Sequence, residues 1–77
     1  MSPHLPIIKG KEVVSILKRA GFVERRITGS HSILKNPNNG KMAIVPLHGA
    51  KTIKRGTLFS IIRQAGLTTA EFEKLTK

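Results

Sequence analysis

Five residues in the middle of the chain form a dense turn signal that most constrains the fold: Asn36, Pro37, Asn38, Asn39 and Gly40. An Asn-Gly pair between two short apolar runs is a strong local indication of a β-hairpin, because Asn and Gly adopt the backbone angles that tight turns need. The runs at His31 to Asn36 and Lys41 to Val45 therefore predict two antiparallel strands. Pro46 closes the second strand, since it lacks an amide donor.

A further strand is predicted before this hairpin. Between Phe22 and Thr28 the residues Val23, Arg25 and Ile27 alternate with Glu24, Arg26 and Thr28, and Gly29-Ser30 ends the run. We expect the three strands to form an antiparallel meander.

Two helices are predicted from apolar residues spaced i, i+3, i+4, i+7. The first runs from Lys11 to Ala20 and stops at Gly21, and the second is capped by Thr57 and stops at Gly66. Thr68 and Glu71 form the capping box of a short third helix. Their buried stripes are Val13, Ile16, Leu17 and Ala20 in the first helix and Leu58, Ile61, Ile62 and Ala65 in the second.

This order predicts an α+β fold: a two-layer α-β-β-β-α(-α) sandwich with the helices on one face of a three-stranded antiparallel sheet. It is the arrangement of double-stranded RNA-binding domains. With 77 residues the chain holds one core. We expect a flexible tail at residues 1–8 and a single domain at residues 9–77.

Composition excludes several classes of protein. Only three Phe and no Trp or Tyr argue against a cavity for a large organic cofactor. The absence of Cys excludes disulfides, cysteine-bound zinc and thiol chemistry, and favours the cytoplasm. No apolar run reaches about 18 residues, so we expect a soluble protein that is neither exported nor bound to a membrane.

The charge is strongly unbalanced: 14 Lys and Arg against 4 Asp and Glu give +10. No carboxylate lies between Arg25 and Ala70, so a polyanion is the expected partner. Nucleic acid is favoured over an acidic protein as this partner. The alternative is a basic surface that only keeps the protein soluble. The eight cations of this stretch are Arg25, Arg26, Lys35, Lys41, Lys51, Lys54, Arg55 and Arg63.

The same residues limit the chemistry. The basic middle has no carboxylate pair for glycosidase or aspartic-protease chemistry, and Glu71 and Glu73 adjoin the buried stripe of the last helix. The chain has no glycine loop of the nucleotide-binding kind, and the middle has no acidic residue to join His31 and His48 around a metal. The remaining candidate for catalysis is a histidine surrounded by cations. An imidazole titrates near pH 6.5, so it can take the proton of a ribose 2′-OH at neutral pH while Lys or Arg stabilises the phosphate.

The chain has three histidines. His31 follows Gly29-Ser30, where small residues allow an RNA backbone to approach, but it also fits a half-exposed strand residue without a role. His48 lies beside the basic loop at Leu47 to Gly56 and fits either a hydrogen bond that orders the loop or the supply of a leaving-group proton. His4 has no assigned role. Lys51, Lys54 and Arg55 precede a helix N-terminus, and amide dipoles and cations attract phosphate together.

Four segments resemble the HicA family of mRNA interferase toxins: Gly21-Phe22, Gly29-Ser30-His31, Pro46-x-His48-Gly49 and Gly56-Thr57-Leu58-x-x-Ile61-x-x-Gln64-Ala65-Gly66. The resemblance runs from about Ile8 to Leu75. Many members have a second histidine where this chain has Ser32, and a Ser-Gly pair where it has Lys9-Gly10.

The resemblance implies a fold like a double-stranded RNA-binding domain, ribosome-independent mRNA cleavage that arrests translation, and neutralisation by a HicB antitoxin, which the charge predicts to be acidic. The resemblance also implies that His31, the histidine of the Gly-Ser-His motif, is the catalytic residue. With it we expect Gly29, Ser30, Lys51, Lys54 and Arg55 to bind RNA, His48 to be a possible auxiliary residue, and no metal or cofactor. The alternatives are a non-catalytic RNA-binding module and a structural ribonucleoprotein component.

Overall fold

The computed structural model describes residues 7–49 and 51–76. Most of the predicted tail, with His4, lies outside the described residues. The strands form one antiparallel sheet in the order β1-β2-β3, so the predicted α+β fold and its meander are confirmed. The elements are α1 (Gly10–Arg19), β1 (Val23–Thr28), β2 (His31–Lys35), β3 (Met42–Pro46), α2 (Arg55–Gln64) and α3 (Thr69–Leu75).

The predicted hairpin turn joins β2 to β3. The Asn36 side-chain oxygen accepts a hydrogen bond from the Asn38 amide, and the Asn36 carbonyl accepts one from the Gly40 amide at 2.8 Å. Gly40 has φ of +73°, a value that glycine adopts without strain. These bonds fix the register in which β2 and β3 pair.

The cross-strand pairs separate the two faces of the sheet. Ser32 pairs with Val45 and Leu34 with Ala43, and all four are buried beneath the helices. Ile33 pairs with Ile44 on the opposite face, which no helix covers among the described residues. The core beneath the helices consists of Val13, Val14, Ile16, Leu17, Phe22, Leu34, Ala43, Val45, Ile53, Leu58, Ile61, Ile62, Ala65 and Phe72.

The alternation predicted for β1 is wrong at one point. A β-bulge falls between Glu24 and Arg26, so that Val23 pairs with Lys35 but Ile27 pairs with Ser32. Lys35 and Ser32 are on opposite faces of β2. The extra residue of a bulge shifts the side-chain alternation by one position, and Val23 and Ile27 therefore lie on opposite faces.

The helix ends are partly as predicted. Gly21 and Gly66 have φ of +99° and +74° after α1 and α2, and the Thr68–Glu71 capping box begins α3. The predicted cap of α2 is wrong, because the helix begins at Arg55 and Lys54 occupies the cap position without a side-chain hydrogen bond. The spacing of apolar residues shows which part of a helix is buried, but it does not locate the first residue of a helix whose first turn is exposed.

Close contacts join the start of α1 to the loop after β3. The Ile53 amide donates to the Ile8 carbonyl at 2.8 Å, and Lys9 and Thr52 form a β-bridge. A Cβ atom at Gly10 would lie 2.1 Å from the Pro46 carbonyl oxygen. Ile8, the last residue of the segment assigned to the tail, is half-buried against the core.

Across the described ranges, no helix is both long and apolar enough to pass through a lipid bilayer.

Candidate active site

The structure brings His31 and His48 together. Their rings lie edge to face, with centroids 6.2 Å apart and planes inclined at 78°. His31 is the first residue of β2, and its pairing partner Pro46 is the last residue of β3, from which the chain continues to His48. Both side chains are exposed to solvent.

The pairing register also settles which face His31 occupies. Side chains alternate along a strand, so His31 shares the uncovered face with Ile33 and Lys35, whereas Ser32 points to the helices. Sequence patterning left this open, because Ile33 and Leu34 are adjacent apolar residues.

Backbone hydrogen bonds position the two rings relative to each other. The Leu47 amide donates to the Ser30 carbonyl at 2.5 Å, one residue before each histidine. The Lys51 amide donates to the His48 carbonyl at 3.1 Å and closes a turn in which Gly49 has φ of +61°. These bonds involve main-chain atoms only, so they do not use the ring nitrogens of either histidine.

An open cleft with a volume of about 320 Å³ lies beside His48. Two of its lining residues, Lys51 and Lys54, are cations, and none carries a carboxylate. Phosphate groups fit such a site, since the cations attract them and the Thr57 hydroxyl is a hydrogen-bond donor. The lining residues are Pro46, His48, Lys51, Thr52, Ile53, Lys54 and Thr57.

Not every residue singled out in the sequence lines this cleft. Gly29 and Ser30 form the exposed turn before His31, and Gly29 has φ of +57°. Arg55 is exposed as the first residue of α2 rather than preceding the helix. Sequence analysis missed Thr52 and Ile53, because only the contacts of the Ile8–Lys9 segment with the loop place them here.

The face of the sheet turned away from the helices, here called the open face, carries exposed apolar side chains. Val23, Met42 and Ile44 are 49%, 48% and 46% exposed, and Ile33 is half-buried between them. Its other side chains along the paired rows include Arg26, His31 and Lys35, and no carboxylate. His31 is thus at one end of an apolar surface edged by cations.

A family model described as HicA toxin of bacterial toxin-antitoxin matches residues 10–67. The match covers α1 to the end of α2 and includes both histidines and the whole cleft. The chain belongs to the HicA toxin family. A search of curated proteins found no match.

Membership of the HicA family gives this chain a toxin role in a toxin–antitoxin system and implies an antitoxin as its partner. It also supports a nuclease activity at the general level. The family expected from the sequence is therefore confirmed.

The residue after His31 in this HicA-family chain is turned away from the site. Ser32 is completely buried, and its hydroxyl donates a hydrogen bond to the carboxylate of Glu24. The other oxygen of Glu24 lies 3.8 Å from the Lys18 amine on α1. Ser32 therefore links the sheet to the first helix and points away from the face that carries His31.

Within residues 7–49 and 51–76 no three His, Asp or Glu side chains converge as a metal site would require. A reaction independent of metal stays a prediction.

Proposed function

We propose that this toxin is an endoribonuclease that cleaves mRNA and so arrests translation, with His31 as its general base. His31 takes the proton of a ribose 2′-OH, and the oxygen attacks the adjacent phosphorus. The observation that carries the proposal is the position of His31: an exposed imidazole beside a second imidazole and a cationic cleft free of carboxylates.

Each part of this site supplies what the reaction needs. A neutral imidazole accepts a proton at pH 7, and such general acid–base help is worth about 10² to 10⁴ in rate. Negative charge grows on the phosphate oxygens in the transition state, where Lys51 and Lys54 stabilise it. No metal or cofactor is needed for these steps.

RNA is proposed to run from the turn before β2 into the cleft. The exposed Gly29-Ser30 turn leaves room for the backbone next to His31. Beyond His48 the phosphates meet Lys51, Lys54 and then Arg55 at the N-terminus of α2, where amide dipoles also favour negative charge.

The antitoxin is proposed to be an acidic protein of the HicB type. A chain with a net charge of +10 is complemented by carboxylates, and the open face adds an apolar surface with no Phe, Tyr or Trp on which bases would stack. A protein with an apolar centre and an acidic rim fits this face better than RNA does. Because His31 lies at its end, such a partner would lie close to the catalytic residue.

The experiment uses purified toxin and RNA in the presence of chelator. The wild type should cut RNA, whereas a 2′-deoxy nucleotide at the scissile position should abolish the cut. His31→Ala should remain folded, because the side chain is exposed, and should bind RNA without cutting it. Continued cleavage of the deoxy substrate, or full activity of His31→Ala, would overturn the proposal.

The second candidate is a non-catalytic RNA-binding module. It is favoured by the same cations before α2, which would contact phosphates of a duplex. It predicts salt-sensitive binding with no change in the length of the RNA, so the cleavage assay separates the two functions.

A further inference from the structure

We propose that His48 is a second catalytic residue, the general acid that protonates the 5′-oxygen leaving group. The inference rests on the proposed ribonuclease function and assigns the proton carrier that this function requires. His31 and His48 then act as a pair on one scissile phosphate.

The first argument is distance. The two ring centroids are 6.2 Å apart, and both rings are exposed. A hydrogen bond from a ring nitrogen to a phosphate oxygen measures about 2.8 Å. A phosphate placed on the solvent side of the two rings is therefore within hydrogen-bonding distance of both. The attacking oxygen can then contact one imidazole and the leaving oxygen the other.

The second argument is that the ring of His48 forms no structural hydrogen bond within residues 7–49 and 51–76. The hydrogen bonds formed among the described residues include none to either imidazole. The loop is ordered by main-chain bonds, from Leu47 to Ser30 and from Lys51 to the His48 carbonyl. An exposed imidazole that is held in place by its backbone, and whose nitrogens bond to no other described residue, is available to a substrate.

The third argument assigns the roles. His48 lines the cleft together with Lys51 and Lys54, whereas His31 lies outside it on the sheet. In the assignment proposed here, the cleft beyond His48 takes the part of the RNA that departs with the 5′-oxygen. His48 thus faces the leaving group and His31 the attacking 2′-OH.

The proton balance is complete without water or a metal. His31 removes the 2′-OH proton, the bond between the 2′-oxygen and phosphorus forms, and the bond between phosphorus and the 5′-oxygen breaks. His48 in its protonated form gives its proton to that oxygen. The products are a 2′,3′-cyclic phosphate and a 5′-hydroxyl, and the two imidazoles have exchanged protonation states.

The test is a substrate whose leaving oxygen is replaced by sulfur. The cleavage position is first mapped on ordinary RNA, and the same RNA is then made with a bridging 5′-sulfur there. A thiolate is a good leaving group that departs without protonation. His48→Ala should lose about 10²- to 10⁴-fold in cleavage of ordinary RNA and should approach the wild type on the sulfur substrate.

Two controls separate this role from others. His31→Ala should stay inactive on both substrates, because the 2′-OH still has to be deprotonated. Lys51→Ala removes a neighbouring cation, and its defect should persist with sulfur. If His48 only ordered the loop, His48→Ala would likewise not be rescued.

The inference is overturned if His48→Ala cuts ordinary RNA at the wild-type rate or is not rescued by sulfur. Rescue of His31→Ala instead would also overturn it, because the roles would be reversed. These results differ from failure of the proposed function, in which the wild type itself leaves RNA uncut.

Discussion

The amide of Leu47 donates a hydrogen bond to the carbonyl of Ser30 at 2.5 Å, and this bond ties the loop that carries His48 to the turn that carries His31. It extends the ladder of the β2–β3 pair by one step beyond His31 and Pro46. The relative position of the two imidazoles therefore depends on the path of the main chain at the end of β3.

Gly10 controls that path. A Cβ atom there would lie 2.1 Å from the Pro46 carbonyl oxygen and 3.1 Å from a methyl carbon of Leu47. We expect Gly10→Ala to destabilise the protein by about 1–3 kcal/mol, because α1 and the end of β3 must move apart. Urea unfolding measures this, and RNA cleavage should fall as well, since the movement shifts His48.

Gly56→Ala is the matched control for Gly10→Ala. Gly56 is also in the first turn of a helix, but a Cβ atom there has no neighbour within 4 Å and its φ is not positive. Alanine should leave stability unchanged or raise it by up to about 1 kcal/mol, because glycine is entropically costly in a helix. Equal destabilisation by both substitutions would show that the contact with Pro46 is not responsible.

Binding of RNA should depend on salt through the cations of the cleft. Each phosphate contact to a single strand contributes about 0.7 to the slope of log K against log salt. Lys54→Ala should therefore reduce the magnitude of the slope by about 0.7, measured with a 2′-deoxy analogue of the substrate that is bound but not cut.

The control for this change in charge is Lys74→Ala, at the exposed end of α3. It removes the same charge outside the cleft lining and should leave the slope nearly unchanged. Equal slopes for the two variants would mean that RNA responds to net charge rather than to the cleft.

The sequence predicted most of this fold because the signals it used are local. Glycines with positive φ follow α1 and α2, and the Asn36–Gly40 turn has its own internal hydrogen bonds. The bulge in β1 was not predictable, because Arg25 fits a regular alternation of side chains between the two faces of the strand. A bulge arises from pairing with another strand, and alternation within one strand does not record it.

The candidate site was predicted in its parts but not in its assembly. His31 and His48 were each identified from type and neighbours, yet nothing in the sequence states that they meet. Their approach depends on the pairing of His31 with Pro46 and on the bond from Leu47 to Ser30. Thr52 joins the cleft through its bridge to Lys9, a contact between segments far apart in sequence.

Placing a second histidine directly after His31 should not help this chain. Ser32 is completely buried under the helices and bonded to Glu24, so Ser32→His would force a larger ring into the core. We expect a loss of about 1–3 kcal/mol in stability and no gain in cleavage. Ile33→His, on the open face, is the control and should be tolerated; a more active Ser32→His variant would contradict the assigned orientation.

The open face should be recognised by the antitoxin. Ile44 is 46% exposed there, so Ile44→Glu should leave the fold intact while placing a carboxylate against an acidic partner. We expect antitoxin affinity to fall at least tenfold, measured by calorimetry with the partner protein, whereas RNA cleavage should change little.

Ile27→Glu provides the comparison. Ile27 is 59% exposed but lies on the helix-side face, since it pairs with Ser32. The charge change is the same, so a similar loss of antitoxin affinity in Ile27→Glu would show that net charge, rather than the open face, determines binding.

Acid should weaken the start of α3 through one carboxylate. Hydrogen bonds from the backbone and then the hydroxyl of Thr68, aided by the charge of Lys74, hold the pKa of Glu71 below its ordinary value of 4.5. A carboxylate with a lowered pKa in the folded state stabilises the protein above its unfolded pKa, and this contribution is lost as the pH falls through the folded pKa.

Glu71→Gln keeps a side-chain acceptor but removes the titration. The difference in melting temperature between wild type and Glu71→Gln should therefore be constant above about pH 5 and shrink below pH 4.5. A difference that does not vary with pH would show that the charge of Glu71 contributes nothing to the cap.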